Sequence, residues 1–257
     1  MLSGMSREMQ SILCIAGLCD VYYPIMHKGF PGLDFVGNWV GRGVVEMDSK
    51  KVEKVLSAEP PTTKKQLKSF LGMAGWFSSF IPQFSELSAP LSDMTKKGSP
   101  NNLFWRENEK RCFEALKHAL SQKPVLRLPD FAKPFVLQVD ASERAVGGAI
   151  LQEHDGKLFP ISYASRKLLD RERNYSCIER ECLALVFAVK KFEKYLYGRE
   201  FLLYTDHQPL ACIDKKKIEN SRIMRWALYL QNFSYKIKVI KGSENVIADY
   251  LSRSYNV

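Results

Sequence analysis

The sequence lacks the cysteine and histidine patterns that bind zinc. Its six cysteines, at positions 14, 19, 112, 177, 182 and 212, include no Cys-X-X-Cys pair, and its four histidines show no zinc-ligand spacing. Some of the cysteines fall in apolar helical patterns, where a free thiol packs as a small hydrophobic group. We therefore expect free thiols in a reducing compartment.

The chain also lacks a hydrophobic run long enough to cross a membrane. Its most apolar stretch, residues 11–26, is interrupted by Asp20, and it is shorter than the roughly 20 residues that a spanning helix needs. It resembles a signal peptide weakly, because Arg7 is its one upstream base and Glu8 follows directly. We expect an intracellular protein of the cytoplasm or nucleus, not secreted and without a membrane partner.

A third absence concerns phosphate-binding repeats. ATPases of the sugar-kinase and actin type also place an aspartate after their first strand, but they need glycine-rich phosphate loops in two related halves. No internal repeat is visible in the 257 residues. The composition, 46% hydrophobic and 26% charged, is that of a globular chain.

The C-terminal half has the pattern of a mixed α/β sheet. Residues 135–140 alternate as a strand, and Asp155-Gly156 predicts a tight hairpin turn between the next two strands. Ser176 and Glu179 form a capping box at the start of an amphipathic helix. The strand at 201–206 should then lie parallel to the first strand, because a helical crossover joins the two.

The segment before residue 131 has a different, mainly helical pattern. A hairpin is predicted around Gly41-Arg42-Gly43, and Thr63 with Gln66 predicts a capping box for the first of three amphipathic helices. Three prolines in residues 124–134 indicate an extended linker. The predicted division is 1–34 (unassigned), 35–130 (smaller and mainly helical) and 131–257 (α/β).

Four acidic residues are the strongest functional signal. Asp140 and Asp206 each end a predicted strand, Glu181 lies near the start of the crossover helix, and Asp249 lies close to the C-terminus. The two strand ends should leave the same edge of the sheet, where ligands bind in such folds. Converging carboxylates repel unless a cation lies between them, and ligands that are all oxygen favour Mg²⁺ or Mn²⁺.

Each acid also has a purely structural explanation. Asp140 alone is as well explained as a turn former, Glu181 as a favourable charge near a helix N-terminus, and Asp249 as a surface residue of a helix. Glu179 is better explained as the capping partner than as a metal ligand. Only the convergence of all four acids in one fold favours a metal site.

The net charge of +10 agrees with a metal-dependent enzyme acting on nucleic acid, although a solvated basic surface explains it equally well.

Sequence motifs distinguish these two explanations better than the net charge does. The C-terminal half contains six characteristic motifs: QVDAS, GAILQ, PISYASRKL, NYSCIERECLALVFAVKKFEKYLYG, YTDHQPL and ENVIADYLSR. They resemble the RNase H domain of reverse transcriptases from gypsy-type LTR retrotransposons. Three further motifs lie upstream: VGRGVVEMDSKKVEKV, QLKSFLGMAGWFSSFIPQFSELSAPL and FEALKHALSQKPVL. They resemble the end of the palm, the thumb and the connection of the same enzymes.

The resemblance implies an RNase H-like fold, with a mixed five-stranded sheet and flanking helices. It implies catalysis by Asp140, Glu181, Asp206 and Asp249 with two Mg²⁺ ions, Mn²⁺ being a possible substitute. The implied substrate is an RNA–DNA hybrid duplex. Candidate contacts to it are Ser142, Arg166, Lys167, Arg171, Arg173, Asn174 and Tyr175, with Lys64, Lys65 and Lys68 upstream.

Two departures from the family pattern bear on function. The polymerase palm carries a Tyr-X-Asp-Asp hairpin, but the sequence contains no adjacent aspartates, so we expect no DNA polymerisation without the missing polymerase half or another Pol subunit. Many relatives carry a histidine ten residues before the last acid, where this chain has Val239. His207 belongs to the TDHQPL motif, and we interpret its role as structural packing. A non-catalytic nucleic-acid-binding remnant is the alternative function.

Overall fold

In the computed structural model, residues 32–35, 38–122, 124–206 and 220–240 are described. The first part of this range forms a four-stranded antiparallel sheet in the order β1-β2-β3-β4. Its strands are β1 (Leu33–Phe35), β2 (Asn38–Gly41), β3 (Val44–Met47) and β4 (Leu126–Arg127). The predicted hairpin around Gly41 is confirmed, with Arg42 and Gly43 at positive φ in the turn. The predicted linker is partly wrong, because β4 within it pairs with β3.

Four helices connect β3 to β4. They are α1 (Ser49–Leu56), α2 (Lys64–Trp76), α3 (Phe84–Met94) and α4 (Glu107–Ser121). The predicted capping box is confirmed at α2: the Thr63 side chain accepts from the backbone N–H of Gln66, whose side chain accepts from that of Thr63. Their apolar faces enclose a core that includes Leu67, Phe70 and Phe113, each at most 2% exposed.

The C-terminal part contains a mixed five-stranded sheet in the order β7-β6-β5-β8-β9. The strands are β5 (Phe135–Ala141), β6 (Ala145–His154), β7 (Lys157–Lys167), β8 (Glu200–Thr205) and β9 (Ser234–Val239). Strands β5, β6 and β7 are antiparallel, whereas β8 pairs parallel to both β5 and β9. This is the RNase H-like α/β arrangement that the sequence predicts.

Helices α5 (Asp170–Arg173), α6 (Cys177–Lys191), α7 (Glu193–Leu196) and α8 (Ser221–Leu230) accompany this sheet. The predicted capping box is confirmed at α6, where Ser176 and Glu179 exchange side-chain and backbone hydrogen bonds. Glu179 also pairs with Arg222 and accepts from Asn220 at the start of α8. Along the apolar face of this amphipathic helix, Cys182, Leu185 and Val189 are buried, whereas Ile178 near its start is 42% exposed.

The helical part and the five-stranded sheet are in direct contact. The backbone N–H of Ser85 donates to Ser165 Oγ over 2.8 Å, and the backbone N–H of Tyr163 donates to the Ser79 carbonyl over 2.9 Å. Lys167 forms an ion pair with Asp93 of α3. These bonds hold α3 and the turn before it against β7. The predicted division at residues 34/35 and 130/131 stays a prediction.

Helix α6 packs closely against β6 at Gly148. A Cβ added to Gly148 would lie 2.7 Å from the Cβ of Ala188 and 3.2 Å from the carbonyl oxygen of Gln138. We expect Gly148→Ala to destabilise the protein by about 1–3 kcal/mol in chemical denaturation, because the helix must move away from the sheet. Gly72→Ala is the matched control: Gly72 lies in α2 with no atom near its added Cβ, so this change should stabilise by about 0.5–1 kcal/mol. Equal effects at both positions would contradict the close packing.

No helix within the described ranges is long and apolar enough to cross a membrane.

Candidate active site

Asp140 lies next to the end of the central strand β5, and the parallel pairing with β8 sets its position. Phe135 pairs with Phe201, and the register continues to Gln138 opposite Tyr204. Extended by two residues, this register brings Asp140 level with Asp206, which directly follows β8. The two aspartates therefore leave adjacent parallel strands at the same edge, as the sequence predicts.

Glu181 reaches the same edge from helix α6. It is the fifth residue of the helix, and it is 7% exposed. Burial, followed by the charges of Asp140 and Asp206, raises the pKa of Glu181 to about 8. Its Oε2 atom is buried without a hydrogen-bond partner. A buried carboxylate with two acidic neighbours and an unpartnered oxygen is strongly disfavoured unless a proton or a cation compensates it.

The electrostatics of Asp140 agree with this picture. Burial raises its pKa, a hydrogen bond from Gln83 lowers it, and the charge of Asp206 raises it again, for a net raised pKa. Asp206 itself is exposed. Three of the four predicted acids are thus electrostatic neighbours, two of them shielded from water.

These residues fit a divalent cation by their chemistry. The donors are all carboxylate oxygens, which Mg²⁺ and Mn²⁺ prefer, and the unpartnered Oε2 of Glu181 is the kind of acceptor that a cation would satisfy. Across the described ranges, however, no three acidic, cysteine or histidine side chains lie close enough to hold one metal ion. The fourth predicted ligand, Asp249, lies outside the described residues.

Two side chains from the helical part also border the site. Gln83, which precedes α3, donates from Nε2 to Asp140 Oδ2 over 3.0 Å. Glu86 lies one turn further along α3. Burial raises the pKa of Glu86, a hydrogen bond with Ser142 lowers it, and Asp140 raises it, for a net raised pKa. The sequence reasoning missed both residues, because no local pattern links them to strand ends more than fifty positions away.

The predicted basic contacts have mixed surroundings. Arg166 forms a two-pronged ion pair with Glu172, with Nη–Oε distances of 2.6 and 3.0 Å, and Lys167 is paired with Asp93. Both side chains are therefore engaged within the protein. Arg171 and Arg173 are exposed, and Arg173 is 4.0 Å from Asp170. Of the four, Arg171 and Arg173 are the better placed to meet a phosphate backbone.

The remaining predicted contacts lie near the acids or far along the chain. Ser142 closes the turn after β5, where its Oγ accepts from the backbone N–H of Ala145. Asn174 is exposed, and the Tyr175 ring contacts Trp226 and the guanidinium of Arg222. Lys64 at the start of α2 donates to the Lys96 carbonyl, whereas Lys65 and Lys68 on the same helix are exposed. All remain candidate contacts.

The position of the expected loop histidine is also defined. Val239 is the last residue of β9 and is 44% exposed, so an apolar side chain stands there at the end of the strand next to β8. His207 lies outside the described residues.

Comparison with known proteins matches part of this chain to a family model. Residues 130–233 match the model of the RNase H-like domain found in reverse transcriptase. The matched range contains Asp140, Glu181 and Asp206, and it ends before Asp249.

Curated relatives extend the similarity upstream of this domain. The Pol polyprotein of transposon 297 from Drosophila melanogaster is 40% identical over 220 residues, which are 86% of this chain and 20% of the relative. That of transposon opus, from the same organism, is 34% identical over 231 residues and is 23% covered. The Tf2-3 polyprotein of Schizosaccharomyces pombe is 35% identical over 224 residues and is 17% covered. The chain thus spans a quarter or less of these relatives.

Solved structures share the fold. The foamy viral protease-reverse transcriptase in complex with dsDNA superposes with a TM-score of 0.68 at 24% identity, over 82% of this chain and 45% of that one. The same viral protein in complex with an RNA/DNA hybrid gives a TM-score of 0.66 at 25% identity, over 82% and 29%. Taken with the family match and the polyprotein relatives, these findings show that residues 130–233 form an RNase H-like domain of the kind found in reverse transcriptase, and that the chain is homologous to a segment of retrotransposon Pol polyproteins.

Proposed function

We propose that this chain is a divalent-metal-dependent endonuclease that hydrolyses the RNA strand of RNA–DNA hybrids. The observation that carries the proposal is the convergence of Asp140, Glu181 and Asp206 at one edge of the sheet, where Glu181 has a pKa of about 8 and an unpartnered oxygen. Such perturbed carboxylates are typical of functional sites. Asp249, in the ENVIADYLSR motif that resembles the RNase H family, would supply the fourth carboxylate.

The four acids would hold two Mg²⁺ ions, or Mn²⁺ in their place, and Asp140 is the best candidate to contact both. When bound, such ions activate a water for attack on the phosphodiester and stabilise the departing 3′ oxygen. The products would carry 5′-phosphate and 3′-hydroxyl ends.

The protein side chains would prepare this site in two ways. The buried walls around Asp140 and Glu181 reduce solvent screening, so the carboxylates favour cations more strongly than exposed acids would. Because the pKa of Glu181 is about 8, this residue is largely protonated at neutral pH. Cation binding would release that proton, which predicts tighter metal binding as the pH rises.

Polar residues in the turn after β5 and in the turn before α6 would suit a duplex with one RNA strand. Recognition of RNA requires contacts to 2′-hydroxyl groups across the minor groove, and Ser142, Asn174 and Tyr175 lie in the turns next to Asp140 and before α6. Arg171 and Arg173 would follow the phosphate backbone, with Lys64, Lys65 and Lys68 as further contacts, so binding should weaken with salt. The foamy viral protein of similar fold was solved with an RNA/DNA hybrid.

The rest of the reverse transcriptase would come from elsewhere. The chain lacks the Tyr-X-Asp-Asp hairpin and covers a fifth of the transposon 297 polyprotein. We propose that DNA polymerisation requires a longer precursor or a second Pol subunit. Residues 35–130 would then be the end of the palm with the thumb and connection, and residues 131–257 the nuclease domain.

A panel of substrates tests the proposal. Duplexes of one sequence would be prepared as RNA–DNA hybrid, double-stranded RNA and double-stranded DNA, each end-labelled, and incubated with the full chain and Mg²⁺. We predict cleavage of the RNA strand in the hybrid alone. Binding of the hybrid without cleavage in Mg²⁺ or Mn²⁺ would favour the non-catalytic remnant instead, and cleavage of all three duplexes would contradict the proposed specificity.

A further inference from the structure

Gln83 makes an unusual contact between the helical part and the nuclease site. It precedes α3, lies outside the range that matches the RNase H-like family, and is 2% exposed. Its Nε2 donates to Asp140 Oδ2 over 3.0 Å. A hydrogen bond from an amide to a carboxylate fixes the direction in which the remaining lone pairs of that carboxylate point.

The orientation of the amide follows from its neighbours. If it were turned over, its carbonyl oxygen would face the Asp140 carboxylate and the two would repel each other. With Nε2 on Asp140, the Oε1 atom is buried without a partner. An unpartnered buried acceptor costs about 1–3 kcal/mol, so folding stability alone would favour an apolar side chain here.

The backbone at Gln83 is also unfavourable for this residue type. Its φ is 50°, in the left-handed region, where residues other than glycine are uncommon. Such costs accumulate where function constrains a residue.

The nuclease sheet provides a fitted space for this side chain. Gly147 is the pairing partner of Asp140 on β6, and a Cβ at Gly147 would lie 2.5 Å from Gln83 Oε1 and 2.9 Å from its Cδ. The amide therefore occupies the volume that a side chain at position 147 would take. Two residues later, the backbone N–H of Ser85 donates a hydrogen bond to Ser165 of β7. This bond anchors the start of α3 on the same sheet.

We propose that Gln83 is a positioning residue for metal binding: its amide holds the Asp140 carboxylate in the orientation that receives the cations. The inference rests on the proposed nuclease function for its catalytic consequence, while its effect on metal affinity can be measured separately. It makes the helical part a contributor to the nuclease site and not only a connector.

Substituting the glutamine by methionine, in the full chain, tests this role. Methionine keeps the approximate volume but donates no hydrogen bond, and it removes the unpartnered Oε1. For Gln83→Met we expect about tenfold weaker Mg²⁺ affinity by titration calorimetry without nucleic acid, the usual loss for a removed partner of a metal ligand. The melting temperature should equal or exceed that of the wild type, because the unpartnered Oε1 is removed. The kcat should fall at limiting Mg²⁺ and recover at high Mg²⁺, and KM for the hybrid should stay unchanged.

Gln138 provides the matched control. It is fully buried two residues before Asp140 on the same strand, and neither polar atom of its amide has a partner. Gln138→Met should leave Mg²⁺ affinity at the wild-type value. Equal affinities for the wild type and both variants would overturn the proposal, as would tighter binding or faster cleavage in Gln83→Met.

A second perturbation acts from the opposite side of the contact. Gly147→Ala should displace the amide and weaken Mg²⁺ binding in the wild-type background, but it should add no further loss once Gln83 is alanine. Additive losses would overturn the inference. A wild type that binds Mg²⁺ more tightly than Gln83→Met but cuts no hybrid would contradict the proposed function and leave this inference standing, whereas a wild type that binds no Mg²⁺ would overturn both.

Discussion

Replacing Asp140 by asparagine should reduce Mg²⁺-dependent cleavage of an RNA–DNA hybrid by at least about 1,000-fold. Asparagine keeps the shape of the side chain and can still accept the hydrogen bond from Gln83, but it loses the charge that a bound cation requires. Loss of about 4 kcal/mol of transition-state stabilisation corresponds to this factor. The rate constant of single-turnover cleavage is the appropriate measurement.

The fold of this variant should be intact. Its melting temperature should equal or exceed that of the wild type, because a charge facing Asp206 and Glu181 is removed. Asp155→Asn is the matched control: Asp155 is exposed in the hairpin turn at the far end of β6, and its replacement should leave cleavage unchanged. Wild-type cleavage by Asp140→Asn would remove this residue from the mechanism.

The second large effect concerns stability and pH. The pKa of Glu181 is raised from its ordinary value of 4.5 to about 8, so the folded state binds a proton more tightly here than the unfolded state does. By linkage, the contribution of this residue to stability is most favourable below about pH 4.5, and stability is lost as the pH rises towards 8. At pH 7 the loss amounts to roughly 3 kcal/mol.

Glu181→Gln should abolish this loss, because the glutamine stays neutral. Without divalent metal, the variant should be more stable than the wild type at pH 7–8 by roughly 3 kcal/mol and nearly equal to it at pH 4.5. It should also lose nuclease activity. Denaturant titrations over this pH range, with the exposed Glu153→Gln as the control, measure the difference. A stability difference that does not vary with pH would contradict the raised pKa.

The parts of the fold that sequence alone predicts are those set by local chemistry. The capping boxes at Thr63 and Ser176 and the turn at Asp155-Gly156 are found where their residue types require them. The parallel pairing of β5 with β8 also follows from the order of the elements. Because the two strands pair in parallel, the number of residues in each strand places Asp140 beside Asp206.

Contacts between distant segments could not be predicted in this way. The bonds from Gln83 to Asp140, from Ser85 to Ser165 and from Lys167 to Asp93 depend on how the helical part docks against β6 and β7. No periodicity or cap marks these residues. Likewise, Arg166 belongs to a basic stretch in the sequence, but its two-pronged pairing with Glu172 appears only when α5 is placed beside β7.

We expect the acidic edge of this sheet to cut RNA with the help of divalent cations. The most direct test incubates an excess of the 257-residue chain with an RNA–DNA hybrid labelled on the RNA strand, in Mg²⁺ or in EDTA. Excess protein isolates a single turnover, so slow product release caused by Val239 in place of the usual histidine would not hide the reaction. We predict RNA fragments with 3′-hydroxyl ends in Mg²⁺ and intact RNA in EDTA. Intact RNA under both conditions, with the hybrid demonstrably bound, would contradict it.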